Sequence, residues 1–334
     1  MAPTETLFLR SDDVTDLASM RDHVDVVREG YRQRGEGAPA EPRTSLENAD
    51  PPGMLTGYLA ILPDTGAMGG YTYAAGFGAA DAHFVLPIFD AASGDPLAVV
   101  DGASLNPYKT GATGAVAVDA LARDDATTLG IIGSGAQARG QLRATATVRD
   151  LESVRVYSTT PAHRREFAAE MDEALSASVE AVGSSTAAIE DADVVITATD
   201  STEPVFDGDA LPDGAHVTAM GQYHPERREV DATTVARSTY VPDLLGRLEQ
   251  DAGAYMLALA EGAIDEGHVH AELGEVVAGA APGRTSDDEI TLFDSGGTAI
   301  ETVAAGHMLY ERALEAGRGE WLDFAPASEA LTGE

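Results

Sequence analysis

An α/β fold built on a doubly wound parallel sheet is predicted by two observations. Strands and helices alternate from residue 128 onward, and a glycine turn follows the first of those strands. Short apolar runs between turn signals in the first hundred residues add a strand-rich α+β unit. Over 11–34, Val14, Leu17, Met20, Val24, Val27 and Tyr31 recur at three- and four-residue steps behind Ser11. That spacing predicts one amphipathic helix, ended by the Gly/Pro-rich stretch 35–42. Runs at 58–62, 70–73, 83–89 and 96–100 read as strands, and 110–122 as an alanine-rich helix. Strand 128–132, helix 136–149, strand 153–157, helix 161–176 and strands 194–197 and 216–219 follow. A final helix, 299–316, is long enough to pack back on the first half.

The chain has 334 residues, 44% of them hydrophobic, enough to bury the core of one large or two ordinary domains. Its 21 basic and 56 acidic side chains give a net charge of −35, which repels nucleic acid and anionic lipid. No apolar run approaches the roughly 20 residues of a membrane-spanning helix, and residues 1–10 lack a basic end followed by an apolar stretch. A soluble, cytoplasmic protein is expected. The absence of cysteine removes disulfides, thiolate chemistry and Cys-containing zinc sites. Twenty of the 21 basic residues are arginine and one, Lys109, is lysine. An acidic excess spread along the whole chain with lysine nearly absent predicts adaptation to high salt, where the Debye length falls to about 3 Å at 1 M.

The strongest local motif is Leu129-Gly130-Ile131-Ile132-Gly133-Ser134-Gly135-Ala136-Gln137-Ala138, a strand entering a Gly-x-Gly turn and then a helix. The glycines allow a pyrophosphate to approach, and the N–H groups and dipole of the helix start hold its charge. Ala138 takes the place of the third glycine. An acidic residue that would grip the ribose of NAD is missing after the second strand, where Ser158, Thr159, Thr160, Arg164 and Arg165 stand. Hydroxyls and arginines there favour NADP(H) over NAD(H). Small residues Ala198 and Thr199 end the strand 194–197 at the ligand-binding edge, and Ser295, Gly296 and Gly297 precede the last helix as a second anion or amide pocket. His83, His268 and His270 have no carboxylate at metal-site spacing, so no metal is expected.

Taken in order, these segments resemble the ornithine cyclodeaminase and mu-crystallin family, which includes archaeal alanine dehydrogenases and cyclic-imine reductases. The resemblance runs through Pro42-Arg43, Pro96-Leu97-Ala98-Val99-Val100-Asp101-Gly102, Lys109-Thr110-Gly111-Ala112, Gly133 to Ala138 and Pro225 with Arg228-Glu229. It continues through Leu273-Gly274-Glu275-Val276-Val277-Ala278-Gly279, Pro282-Gly283-Arg284 and Phe293 to Ala299. It implies a homodimer with a discontinuous substrate and dimerisation domain, 1–120 plus 306–334, around a Rossmann domain, 121–305. It also implies that Arg43 and Lys109 bind the substrate carboxylate together with Gly297, and that Thr110 faces the nicotinamide. The family's arginine has become lysine at 109, a point charge in place of a planar fork.

Two departures bear on the reaction. The family's active-site lysine falls on Tyr71, and the aspartate that assists ornithine deamination falls on Tyr223. Ammonia loss with ring closure needs a base near the substrate nitrogens, whereas reduction of a preformed imine needs one proton donor and a placed cofactor. Lys109, Tyr71, Tyr73, Tyr223 and His224 are the candidate acid–base groups. The expected function is thus an NAD(P)H-dependent oxidoreductase of a small amino or imino acid. Ornithine cyclodeamination with bound NAD, and a non-catalytic cofactor-bound binding protein of mu-crystallin type, are the alternatives.

Overall fold

The computed structural model describes residues 4–79 and 81–327. The chain divides into two compact units, Met1–Lys109 with Thr298–Glu334, and Thr110–Gly297. The seams fall at 109/110 and 297/298, earlier in each case than the 120/121 and 305/306 expected from sequence. Glycine sets the first. A Cβ on Gly111 would lie 2.4 Å from the carbonyl oxygen of Gly140, so the helix Asn106–Leu121 seats from Thr110 onward against the helix Ala136–Thr145. At the second seam, a Cβ on Gly30 would meet Ile300 at 3.1 Å, which places the start of the last helix with Met20–Gly35.

The first unit is a mixed sheet covered by two helices. Its strands are β1 (Thr4–Leu9), β2 (Thr44–Ala49), β3 (Pro52–Gly57), β4 (Ala60–Leu62), β5 (Ala67–Gly69), β6 (Thr72–Gly76), β7 (His83–Asp90) and β8 (Pro96–Asp101). The last strand, Glu320–Phe324, borders β1, and the order continues β1-β8-β7-β6-β3-β2, with β5 branching from β7 to pair with β4. Among the described residues of this sheet, only β1 and β8 pair in parallel. Helix Met20–Gly35 buries Val24, Val27 and Tyr31, and helix Ala299–Ala316 buries most of its length before Gly317 ends it at φ 63°. The single helix expected over 11–34 is two. Asp16 takes φ 62°, and Ser19 with Asp22 forms a capping box that starts a new helix at Met20. Strands β1, β2, β3 and Glu320–Phe324 were not expected; β2 is exposed at every position, so it carries no apolar alternation to read.

The second unit is an α/β sheet in the order β11-β10-β9-β12-β13-β15-β14, parallel throughout. Its strands are β9 (Thr128–Ile132), β10 (Ser153–Tyr157), β11 (Ser178–Ala181), β12 (Val194–Thr197), β13 (His216–Ala219), β14 (Ser238–Pro242) and β15 (Ile290–Asp294). Strands β12, β13 and β15 are buried at every residue, as a sheet covered on both faces requires. The order reverses between β9 and β12, the place where doubly wound sheets hold ligands at their carboxyl edge. Helices 136–149 and 161–176 end early, at Thr145 and Ala174. The Arg149 guanidinium instead turns to the carbonyls of Val118 and Asp119. Among the described residues, no helix is long and apolar enough to cross a membrane, and no group of three His, Asp or Glu side chains is placed to hold a metal ion.

One core histidine makes this unit acid-sensitive. His216 is fully buried between Thr291 and Thr218, each hydroxyl within 3.0 Å of a ring nitrogen. Burial first, then the charges of Arg284 and Arg149, push its pKa down to about 3. The folded state therefore keeps the ring neutral while the unfolded chain protonates near pH 6.5. That contribution is complete above pH 6.5 and is lost as pH falls toward 3, on the order of 4 kcal/mol. Urea midpoints measured between pH 7.5 and 4 are expected to fall less steeply for His216→Gln than for the parent chain. Equal slopes would refute this reading.

Candidate active site

In the second unit, β9 ends at a turn shaped by glycine. Gly133 has φ 121°, and a Cβ there would lie 2.2 Å from the carbonyl oxygen of Ala198, so the turn and the end of β12 pack back to back. Its N–H donates to Tyr157 and the Ser134 hydroxyl to that of Ser158, which joins the turn to the end of β10. Gly135 caps the helix Ala136–Thr145 without a side chain, and a Cβ on it would meet nothing within 4 Å. The first-turn N–H groups of that helix have no carbonyl one turn back to bind. Gln137 Oε1 beside them is buried and has no hydrogen-bond partner. An open cradle and free N–H donors fit a dinucleotide pyrophosphate. Ala138 is buried with Leu142, the packing role of the third glycine.

Buried Glu229 fixes the neighbouring strand ends. One carboxylate oxygen accepts the Thr199 N–H and hydroxyl at 2.7 Å each, and the other accepts the Gly221 N–H at 2.6 Å and the Thr197 hydroxyl at 3.0 Å. Burial pushes its pKa up, and these donors pull it back. Thr159 and Thr160 are exposed after β10. Arg164 lies with its guanidinium carbon 5.3 Å from the Tyr157 ring centroid and donates to the Ser158 carbonyl at 2.7 Å. Thr110 is buried, and its carbonyl accepts from Gln141 at 2.8 Å. Tyr223 is largely exposed, and His224 closes a turn, its Nδ1 accepting the Glu226 N–H at 3.1 Å.

The pocket expected at Ser295, Gly296 and Gly297 is already filled by the chain. Asp243 Oδ2 accepts the N–H groups of Gly296 at 2.8 Å and Gly297 at 2.9 Å, so these donors do not receive an external anion. Arg247 balances that carboxylate. It donates to Asp243 at 2.8 Å, to Asp251 at 2.6 Å and to the Asp294 carbonyl at 3.2 Å, all buried. A Cβ on Gly296 would lie 2.2 Å from the guanidinium carbon, so only glycine lets the loop lie flat on the arginine. Burial pushes Asp294 up in pKa despite Arg247, and Tyr240 donates to it at 2.6 Å.

In the first unit, Gly69 and Gly70 let the chain pass at backbone contact with Pro87 and Tyr58. That crossing brings Tyr58 and Tyr71 together edge to face, centroids 5.9 Å apart. Both cations expected from sequence converge on this pair. The Arg43 guanidinium carbon lies 5.8 Å from the Tyr58 centroid, and Lys109 Nζ lies 6.0 Å from Tyr58 and 5.3 Å from Tyr71. Lys109 is buried, and Nζ is 3.3 Å from the fully buried carboxylate of Glu301. Glu301 is also the capping-box acid of the last helix, accepting the Thr298 N–H at 2.6 Å and, at 3.3 Å, the Tyr31 hydroxyl.

Tyr71 is corrected from proton donor to packing residue. Its hydroxyl donates to the Gly102 carbonyl at 2.8 Å, and burial, reinforced by the nearby Tyr58, Glu301 and Asp101, holds its pKa well above 10. Tyr73 is buried against Phe84, centroids 4.7 Å apart. Tyr58, Asp243, Arg247 and Glu301 were not singled out by sequence reasoning, and Glu229 stood in the Arg228-Glu229 signature without a role. Glu301 left a local signal, the Thr298-x-x-Glu301 capping-box spacing, and Asp243, Arg247 and Asp251 stand at four-residue steps.

The chain is 34% identical over 241 residues to the Δ1-pyrroline-2-carboxylate reductase of Bacillus cereus, covering 72% of this chain and 74% of that one. A solved structure of the Thermococcus litoralis Δ1-pyrroline-2-carboxylate reductase in complex with NADH and L-proline is similar at TM-score 0.89 and 35% identity, covering 94% of this chain and 99% of that one. An archaeal alanine dehydrogenase dimer with bound NAD is similar at TM-score 0.90 and 31% identity, covering 96% and 100%. The ornithine cyclodeaminase/mu-crystallin family profile matches residues 4–317, nearly the whole of both units, and the chain belongs to that family.

Proposed function

We propose that this chain is an NAD(P)H-dependent oxidoreductase that reduces the C=N bond of a small imino acid, with a cyclic ketimine carboxylate as the preferred class. The observation that carries the reading is the pair Arg43 and Lys109 about Tyr58, in a chain whose family lysine and aspartate positions hold Tyr71 and Tyr223. The names and bound ligands of the relatives, a cyclic-imine reductase with NADH and L-proline and an alanine dehydrogenase with NAD, support the same class.

When bound, the nicotinamide supplies the hydride that reduces the substrate α-carbon. The residues of the chain orient and protonate. Arg43 offers a carboxylate a planar two-pronged donor, and Lys109 adds a compact point charge. Glu301 pairs with Lys109 inside the buried site, at 3.3 Å. The product nitrogen takes one proton. With the Tyr71 hydroxyl committed to Gly102, Lys109 is the donor we assign in the first unit. Incubation with Δ1-pyrroline-2-carboxylate and reduced cofactor in molar salt should oxidise the cofactor stoichiometrically. Ammonia released from L-ornithine with no cofactor consumed would instead establish a cyclodeaminase.

The cofactor preference follows from the end of β10. Ser158, Thr159 and Thr160 leave no carboxylate to repel a 2′-phosphate, and Arg164 lies beside them. NADPH is expected to bind at least as tightly as NADH, and Arg164→Ala to weaken NADPH selectively. Tighter binding of NADH by the parent chain would contradict this. The homodimer reading is supported by Leu46, Leu55 and Val85, 64%, 44% and 49% exposed on β2, β3 and β7.

A further inference from the structure

We propose that Arg139 is the positioning residue that aims the pyrophosphate-binding turn, and that Glu170 holds Arg139 for this task. The inference rests on the dinucleotide reading of the second unit, not on the identity of the substrate. Arg139 stands one turn into the helix Ala136–Thr145, and its guanidinium folds back over the helix start. Its Nη1 donates to the carbonyl of Ser134 and, at 3.4 Å, to that of Gly135. In a trans peptide the C=O and the following N–H point to opposite sides. Holding both carbonyls on the arginine side therefore turns the N–H groups of Gly135 and Ala136 away from it, and a Cβ on Gly135 would meet nothing within 4 Å.

The arginine is itself held. Its Nε donates to Glu170 at 2.6 Å, its guanidinium carbon lies 5.2 Å from the buried Phe167 ring, and Arg143 donates to the other Glu170 oxygen at 2.9 Å. Two arginines on one carboxylate leave one net positive charge behind the turn, in a chain whose net charge of −35 opposes a polyanionic ligand. Positioning and simple attraction predict different signs for one substitution. If Arg139 acts by aiming peptides, loosening it with Glu170→Gln weakens the ligand. If it acts as charge alone, removing the carboxylate strengthens it.

The test is titration of the whole chain with NADH, NADPH and ADP-ribose in molar salt. Arg139→Ala should weaken all three about tenfold with the NADPH-to-NADH ratio unchanged. Arg139→Lys, which keeps the charge but not the fork, should not restore binding, and Glu170→Gln should weaken all three. Full binding by Arg139→Ala, restoration by lysine, tighter binding by Glu170→Gln or a changed cofactor ratio would each overturn the proposal. If the alanine variant fails to fold, the lysine and Glu170→Gln arms decide it. Failure of the parent chain to bind any of the three would overturn the dinucleotide reading instead.

Discussion

Lys109→Ala is expected to lower kcat/KM for imine reduction by roughly 10³-fold, within the range for losing a placed acid–base group, while leaving the affinity for reduced cofactor unchanged. The separation is expected because Lys109 is assigned to the substrate and its proton, and the glycine turn to the cofactor pyrophosphate. The substitution also leaves the fully buried Glu301 carboxylate without its lysine, so some loss of stability accompanies the loss of rate. Adding Glu301→Gln to Lys109→Ala should recover stability but not turnover. Lys109→Arg supplies the family's carboxylate fork but no transferable proton, so it should keep substrate KM near the parent value without recovering kcat. Steady-state assays and thermal melts together check this. Turnover within twofold of the parent in a folded Lys109→Ala variant would remove Lys109 from the reaction.

Arg247→Ala should be the most destabilising single change in the second unit. It leaves the buried carboxylates of Asp243, Asp251 and Asp294 facing one another and strips the loop 295–297 of the surface on which Gly296 lies. Breaking a buried ion pair by removing one partner costs about 3–5 kcal/mol, here a drop in Tm of roughly 10 °C. Asp243→Asn tests the complementary point. An amide oxygen can still accept from Gly296 and Gly297, so the loop should hold while Arg247 loses a charged partner, and the loss should be smaller. A melt unchanged by Arg247→Ala would contradict the role assigned to the cluster.

The second unit was the more legible half. Strands β9, β12 and β13 are short apolar runs between turn signals buried on both faces, and β10 alternates buried and half-buried residues. The glycine turn was legible because Gly133 is required locally, by its φ and by the carbonyl of Ala198. Pro282-Gly283-Arg284, met as a family signature, is a structural staple. A Cβ on Gly283 would lie 2.2 Å from the Ala120 carbonyl oxygen, and Arg284 donates to that of Leu121 at 3.0 Å. The first unit was less legible because β2 has no buried face and because the break at Asp16 rests on a single backbone angle.

The side-chain partners were beyond reading. Lys109 and Glu301 are 192 residues apart, Asp243 and Gly296 are 53, and no spacing rule joins them. The reading of 295–297 as an anion pocket failed for this reason, since the Gly296 and Gly297 donors are met by a residue just past the end of the neighbouring strand β14. The scarcity of lysine also has a structural counterpart. Arg32 alone binds Glu29, Glu36 and Asp64, a task for a fork and not for a point charge. The one lysine is instead buried against the Glu301 carboxylate.

The most direct test of the central claim is cofactor oxidation by the parent chain and by Lys109→Ala, measured with Δ1-pyrroline-2-carboxylate and NADPH or NADH in molar salt. The parent chain is expected to oxidise one cofactor per L-proline formed, and the variant to lose that turnover with cofactor binding intact. Absence of turnover by a folded, cofactor-binding parent chain on this and related imino acids would contradict it.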